Sequence, residues 1–245
     1  METDLILDSS SYSPIVLVPG DDIVAQCIYK GLDAVRGKGK QANTNQQWVF
    51  NDFSDCKLLY VSDYSTDIMV FSAKETASQT SCILKRWNNK IENVHSLLLH
   101  ELKVIKKLKE SQLDHHLPQL HGLFFTQHYM FQVWEYSSGI SLYSLNENLN
   151  EMNKASLEPS TLLYQKLKKV VKEIFYCGIL PSNLSINHIL WDSSNIKIKL
   201  ISLYQSNFFI CKHKTDENEF ESFFQSIVDN LIKELENIVE DNNEE

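Results

Sequence analysis

Gly178-Ile179-Leu180-Pro181-Ser182-Asn183-Leu184-Ser185-Ile186-Asn187-His188-Ile189-Leu190-Trp191-Asp192 is the stretch from which the organisation of this chain is most readily worked out. It follows directly on a strongly amphipathic segment, Ser160 to Tyr176, which has Pro159 near its start, where the fixed φ of proline suits the first turn of a helix. It runs out through His188 to Trp191 into a β-type segment, and a second one, Ile196 to Ile201, comes next. The local order is therefore helix, loop, strand, strand.

Upstream, three β-rich segments (Lys57 to Val61, Asp67 to Ser72 and Ser81 to Trp87) predict consecutive antiparallel strands. From Ile91 to about Lys109 apolar residues recur at Val94, Leu97, Leu98, Ile105 and Leu108, the period of a helix with one buried face. Gly122 to Thr126 and His128 to Glu135 predict two further strands, and the pattern turns helical near Ser141 to Leu149. Downstream, Phe220, Phe223, Phe224, Ile227, Leu231 and Leu235 predict a helix from about Glu217 to Val239. The resulting division is an extension and linker over 1–45, a strand-rich unit over 46–136, a helix-rich unit over 137–240 and an acidic tail over 241–245.

At 245 residues and 43% hydrophobic composition the chain is long enough for two units that each bury a core. Its net charge of -9 disfavours direct binding to nucleic acid or anionic lipid. The cluster Lys103, Lys106, Lys107 and Lys109 falls opposite the apolar stripe of its helix and reads as a solvated face. Five cysteines, Cys27, Cys56, Cys82, Cys177 and Cys211, are scattered and contain no C-x-x-C pair, against a disulfide framework or a zinc site. The N-terminal residues have no signal-like character and no apolar run reaches the ~20 residues of a membrane span. The expectation is a soluble cytoplasmic or nuclear protein, with no membrane association and an oligomeric state left open.

The quoted stretch resembles the catalytic-loop segment of protein kinases, H-R-D-L-x-x-x-N-I-L-x-D. Carried over by position, Pro181-Ser182-Asn183 replaces H-R-D and His188 replaces the metal-binding asparagine. Cys82-Ile83-Leu84-Lys85 is similar to the V-A-I-K strand, and Ile196 to Ser202 to the strand leading into D-F-G, with Leu200 at the aspartate, Ile201 at the phenylalanine and Ser202 at the glycine. Glu101, on or beside the buried helical stripe, stands where the family places a glutamate paired with the lysine. The resemblance implies that Lys85 and Glu101 form a vestigial nucleotide-pocket ion pair. The alternative is that Glu101 reaches solvent from the edge of the stripe and Lys85 ends an exposed strand.

That resemblance implies an α+β bilobal protein kinase-like fold, with a five-stranded antiparallel N-lobe sheet, one main helix and a truncated, mainly helical C-lobe. Glu219, where the family's anchoring helix carries an aspartate, arrives about twenty residues after Leu200, too soon for a full activation segment. The chemistry is missing from every expected position. Asn183 cannot accept a proton as a carboxylate does. A lone His188, read as packed or solvated, is a poor ligand for oxygen-seeking Mg²⁺, and Leu200 is no ligand at all. No acidic residue occurs between Asp192 and Asp216, and Val61 to Val70, the place of the glycine-rich loop, contains no glycine. A pseudokinase follows: no catalytic residues, no cofactor, no metal and no enzymatic activity, with a role as protein-binding scaffold, allosteric partner or assembly subunit. The competing readings are a phosphotransferase with relocated metal ligands, drawing on Asp192, Glu219 or the acidic turn residues, and an α/β interaction domain unrelated to kinases.

Overall fold

A computed structural model of the chain describes residues 50–61, 68–88, 94–126, 129–149, 154–203, 205–209 and 217–241. The expected extension over 1–45, the connection 62–67 and residues 242–245 of the expected acidic tail lie outside them. The fold is mixed α+β, and the described residues fall into two compact units. One takes the chain up to Leu99 together with Gln119–Tyr136; the other takes His100–Pro118 and the chain from Ser137 onward.

The first unit is built on one antiparallel sheet. Strands β1 (Phe53–Val61), β2 (Ile68–Glu75), β3 (Ser81–Asn88), β4 (Leu120–Phe125) and β5 (Tyr129–Glu135) are ordered β1-β2-β3-β5-β4. All five predicted strands are present, with shifted ends. β1 starts at Phe53 rather than Lys57, because Asp55 takes a positive φ of 53° and the register shifts between Ser54 and Lys57, which breaks the alternation that marks a strand in sequence. β2 runs past Ser72 to Glu75 because Ala73 and Lys74 still pair with Cys82 and Ser81.

Strand alternation sends two sets of side chains to opposite faces of this sheet, and both sets are buried. One face holds Phe53, Met69, Phe71, Ala73, Cys82, Leu84, Phe124, Phe131 and Val133. Its rings stack in series, with Phe124 lying 4.6 Å from Phe131 and 5.5 Å from Phe53. The guanidinium of Arg86 covers the end of that series at 4.3 Å from the Tyr129 ring. The other face carries Ile68, Val70, Trp87, Met130 and Trp134 around two buried polar groups, Lys85 and Gln132.

Helix α1 (Val94–Glu110) separates β3 from β4 in sequence. Leu98, Leu102, Ile105 and Leu108 are buried as the stripe requires, Val104 joins them, and Leu97 is only half-buried. Lys103 and Lys106 are exposed, as expected of a solvated face. Lys107 instead lies 5.5 Å above the Phe208 ring.

The second unit contains α2 (Leu142–Leu149), α3 (Leu162–Tyr176) and α4 (Glu217–Asp241), along with five short strands. Of these, β8 (Ile189–Asp192) and β9 (Lys197–Leu200) were predicted, whereas β6 (Ile140–Ser141), β7 (Ile179–Leu180) and β10 (Asn207–Phe208) are too short to leave a periodic signal. They form a sheet ordered β6-β8-β9 and a separate β10-β7 pair. Ile196, expected to open a strand, sits in the turn before β9 with φ 54°, a left-handed conformation that costs a β-branched residue about 1–2 kcal/mol.

Helix α3 starts later than Ser160 because Thr161 caps it. Its Oγ1 accepts the Tyr164 N–H at 3.2 Å, which satisfies a donor the first turn leaves open. Buried Leu163, Tyr164, Leu167, Val170, Val171, Ile174 and Phe175 recur at helical spacing. Tyr164 meets Phe224 of α4 edge-on at 5.3 Å, and Phe175 meets Phe220 at 5.5 Å. Lys168–Glu221 at 2.7 Å and Lys172–Glu217 at 2.6 Å join the same helices at their part-exposed rim. Solvent screens such part-exposed pairs, so the aromatic seam dominates the docking of α3 on α4. Among the described residues no helix is long and apolar enough to cross a membrane.

Candidate functional site

The loop between α3 and β8 is held at both ends. At its start Cys177 closes the helix, its N–H bonding the Glu173 carbonyl at 3.2 Å, and Gly178 follows with φ +85°. The Gly178 carbonyl accepts the Phe209 N–H at 3.0 Å, and β7 then pairs with β10 through Leu180 opposite Asn207. At its far end Ile189 pairs with Leu200, and the His188 carbonyl accepts the Ile201 N–H at 3.0 Å. Between them, Glu234 of α4 accepts the Ile186 N–H at 2.8 Å, fixing the turn Ile186–His188. Glu219, the acid singled out in sequence, is exposed on the first turn of α4.

These supports bring Asn183, His188 and the segment after Leu200 together. The exposed Asn183 donates its side-chain amide to Gln205 Oε1 at 2.5 Å, and its backbone carbonyl accepts from His188 Nδ1 at 3.2 Å. That bond places a proton on Nδ1 of His188, which is half-buried. Leu200 is fully buried in β9. Asn187, one position before His188, is also buried and belongs to the turn.

A small pocket opens among Pro181, Asn183, Leu184, His188, Ser202, Leu203, Gln205 and Ser206, with room for about one water-sized sphere, about 10 Å³. Among the described residues the lining contains amides, hydroxyls, an imidazole and apolar groups, and no carboxylate. Ser206 Oγ is buried without a hydrogen-bond partner among the described residues, and a water seated in the pocket would satisfy it. The Ser206 carbonyl accepts from His100 Nε2 of α1, and the His100 ring meets Phe208 edge-on at 5.3 Å. Such a pocket can order a water molecule through neutral dipoles. It offers neither a proton acceptor of carboxylate strength nor the hard oxygen ligands a magnesium ion prefers.

The two residues assigned to an ion pair belong to different units. Lys85 in β3 is 3% exposed, pairs in register with Val70 and Gln132, and holds Nζ 4.6 Å over the Trp87 ring. Glu101 in α1 is 1% exposed, and Oε1 accepts the Leu203 N–H at 3.4 Å, three residues past Leu200. Neither side chain is exposed, contrary to the alternative in which Glu101 reaches solvent and Lys85 ends an exposed strand.

Asp192 is tied up locally. It accepts from Ser138 Oγ at 2.7 Å and from the Asn195 side chain at 2.9 Å and backbone at 3.0 Å, closing the turn between β8 and β9. The hydrogen bonds from Asn195 and Ser138 hold its carboxyl down to about 2. Because the folded value lies below the ordinary 3.8, the contribution of this carboxylate to stability is fully present above 3.8 and is lost as pH falls through about 2. A carboxyl ¹³C titration of the native protein should therefore place its midpoint near 2, and Asn195→Ala should move it up. A midpoint at the ordinary value would refute the turn geometry.

Sequence reasoning missed Gln205, Ser206 and Glu234. Gln205 and Ser206 lie in a segment without periodicity, and Glu234 is one of several acids on α4. No protein-family model matches the chain, and no curated protein shows significant similarity to it.

Proposed function

We propose that this chain is a degenerate, kinase-like protein that binds a protein partner and does not transfer phosphate. The observation that carries the proposal is the neutral pocket of the second unit. At the positions where the resemblance puts a base and two metal ligands, Asn183 is bonded to Gln205, His188 to the Asn183 carbonyl, and Leu200 is sealed in β9. Further support comes from element order: three antiparallel strands, a helix and two more strands precede a capped helix and a loop that enters a β-hairpin. Of the acids named for a relocated metal site, the acidic turn residues lie outside the described residues and the other two weaken that reading. Asp192 is engaged by Ser138 and Asn195, and Glu219 is exposed on a helix surface. With chemistry set aside, binding is the role left to a folded scaffold. Ile140, Leu162, Tyr176 and Phe208 are large apolar side chains exposed on the second unit.

The test is a thermal-shift titration with ATP, alone and with Mg²⁺ or Mn²⁺. A ligand that binds the native state must raise its apparent stability, by about 2.7 kcal/mol at a hundredfold excess over Kd. The expected result is no metal-dependent shift up to millimolar ATP. A saturable shift that requires the metal and is lost in Lys85→Ala would overturn the proposal in favour of a phosphotransferase.

A further inference from the structure

Outside the pocket, a cluster of ligating side chains among the described residues joins two segments far apart in sequence. His115 and His116 lie in the short 3-10 turn Asp114–His116 that follows α1, and Glu173 lies on α3. One nitrogen of each imidazole and one Glu173 oxygen all fall within 4.8 Å of one another. His116 Nε2 already meets Glu173 Oε2 at 2.6 Å, and the two imidazole rings are tilted against each other with centroids 4.0 Å apart.

We propose that His115, His116 and Glu173 form a binding site for a divalent transition metal, with Zn²⁺ the best match, that clips this turn to α3. The donor set selects the class of ion. Two imidazoles and one carboxylate suit borderline Zn²⁺, whereas Mg²⁺ and Ca²⁺ seek all-oxygen shells. Donors around a tetrahedral zinc stand ~3.3 Å apart, given its 2.0–2.1 Å bonds. That value is reached when the exposed His115 ring swings inward and the His116–Glu173 pair, now 2.6 Å apart, opens around the ion.

The surroundings prepare the ligands. The Gln112 carbonyl accepts from His115 Nδ1 at 3.1 Å, which fixes the ring tautomer and leaves Nε2 as its lone-pair nitrogen. To ligate through Nε2, the His116 ring carries its one proton on Nδ1, so that the nitrogen now facing Glu173 offers its lone pair to the ion. Lys169, whose Nζ lies 3.9 Å from Glu173 Oε1, is exposed and free to move aside. Three protein donors leave the fourth position to water.

The experiment is a competition titration of the untagged full chain with Zn²⁺ against a fluorescent chelator, paired with the visible spectrum of the Co²⁺ form. The expected result is one equivalent bound at micromolar Kd or tighter, tetrahedral Co²⁺ bands, and no comparable binding of Mg²⁺. His115→Ala, at an exposed site that leaves the fold intact, should weaken binding at least tenfold, as should Glu173→Gln, whereas Lys169→Gln should leave it equal or tighter. Absence of stoichiometric Zn²⁺ binding overturns the proposal. So does binding that survives both His115→Ala and Glu173→Gln unchanged, which would assign the metal to other histidines.

Discussion

Trp87→Ala should be the most damaging single substitution in the sheet unit, costing about 3–5 kcal/mol through the cavity it leaves. The indole is fully buried and stands opposite Met130. Its N–H donates to Gln132 Oε1 at 3.0 Å, and the Lys85 ammonium lies over its face at 4.6 Å. Truncation removes ring area, a hydrogen-bond donor and a cation–π contact in a region already carrying a buried lysine and glutamine, where lost polar contacts are costly. Trp87→Phe separates these terms: it keeps much of the ring, withdraws the donor from Gln132, and should cost about 1–3 kcal/mol. Urea unfolding followed by sheet-unit fluorescence or amide signals should show a lowered midpoint with an unchanged slope. Since a domain has about 5–15 kcal/mol in all, the alanine variant should sit near the edge of folding. A loss below about 1 kcal/mol would mean that Trp87 is not packed as described.

The same residues show what could be read from the chain alone. The β-rich composition of Ser81 to Trp87 marked β3, whereas the apolar sets on α1 and α4 emerged at helical spacing, because burial on one face writes a period into a helix. Where burial is two-sided or the element is short, that period vanishes. β1 escaped at its start because a bulge at Asp55 breaks alternation, and β7 and β10 escaped because two residues carry no period. Of the candidate pocket, Asn183 and His188 were singled out from a stretch between a helix and a β-hairpin, whereas Leu200, singled out with them, is sealed in β9 and is not among the lining residues. Gln205 and Ser206 were not, since they reach the loop only through the pairing of β10 with β7. Cysteine spacing pointed away from zinc, yet the neighbouring histidines His115 and His116 find their third ligand on α3, 57 residues beyond His116. No local motif encodes that meeting.

Gly178→Ala should destabilise the second unit by about 1–2 kcal/mol through its left-handed backbone and by about 1–3 kcal/mol more through overpacking. With φ at +85°, only glycine holds this conformation without strain. A Cβ there would lie 2.7 Å from the Phe209 carbonyl oxygen and 3.0 Å from Lys107 Nζ. The lysine end can swing away. The Phe209 carbonyl cannot move independently, because its own N–H bonds the Gly178 carbonyl at 3.0 Å and Phe208 next to it pairs with Ile179. The strain therefore falls on the β7–β10 pair. That pair sets the spacing between the loop bearing Asn183 and the segment bearing Gln205 and Ser206, so the variant should both lower the unfolding midpoint and loosen the pocket. Hydrogen exchange at the Phe209 amide should quicken, and the Asn183 side-chain amide signals should shift toward solvent-exposed values as the bond to Gln205 weakens. Gly139→Ala provides the contrast: its Cβ would stand 3.0 Å from Leu190 Cβ with no left-handed backbone to strain, and its cost should be smaller and leave Asn183 unmoved. If Gly178→Ala were tolerated within about 0.5 kcal/mol with Phe209 exchange unchanged, the junction of α3 with β7 would not have the backbone geometry that positions the pocket.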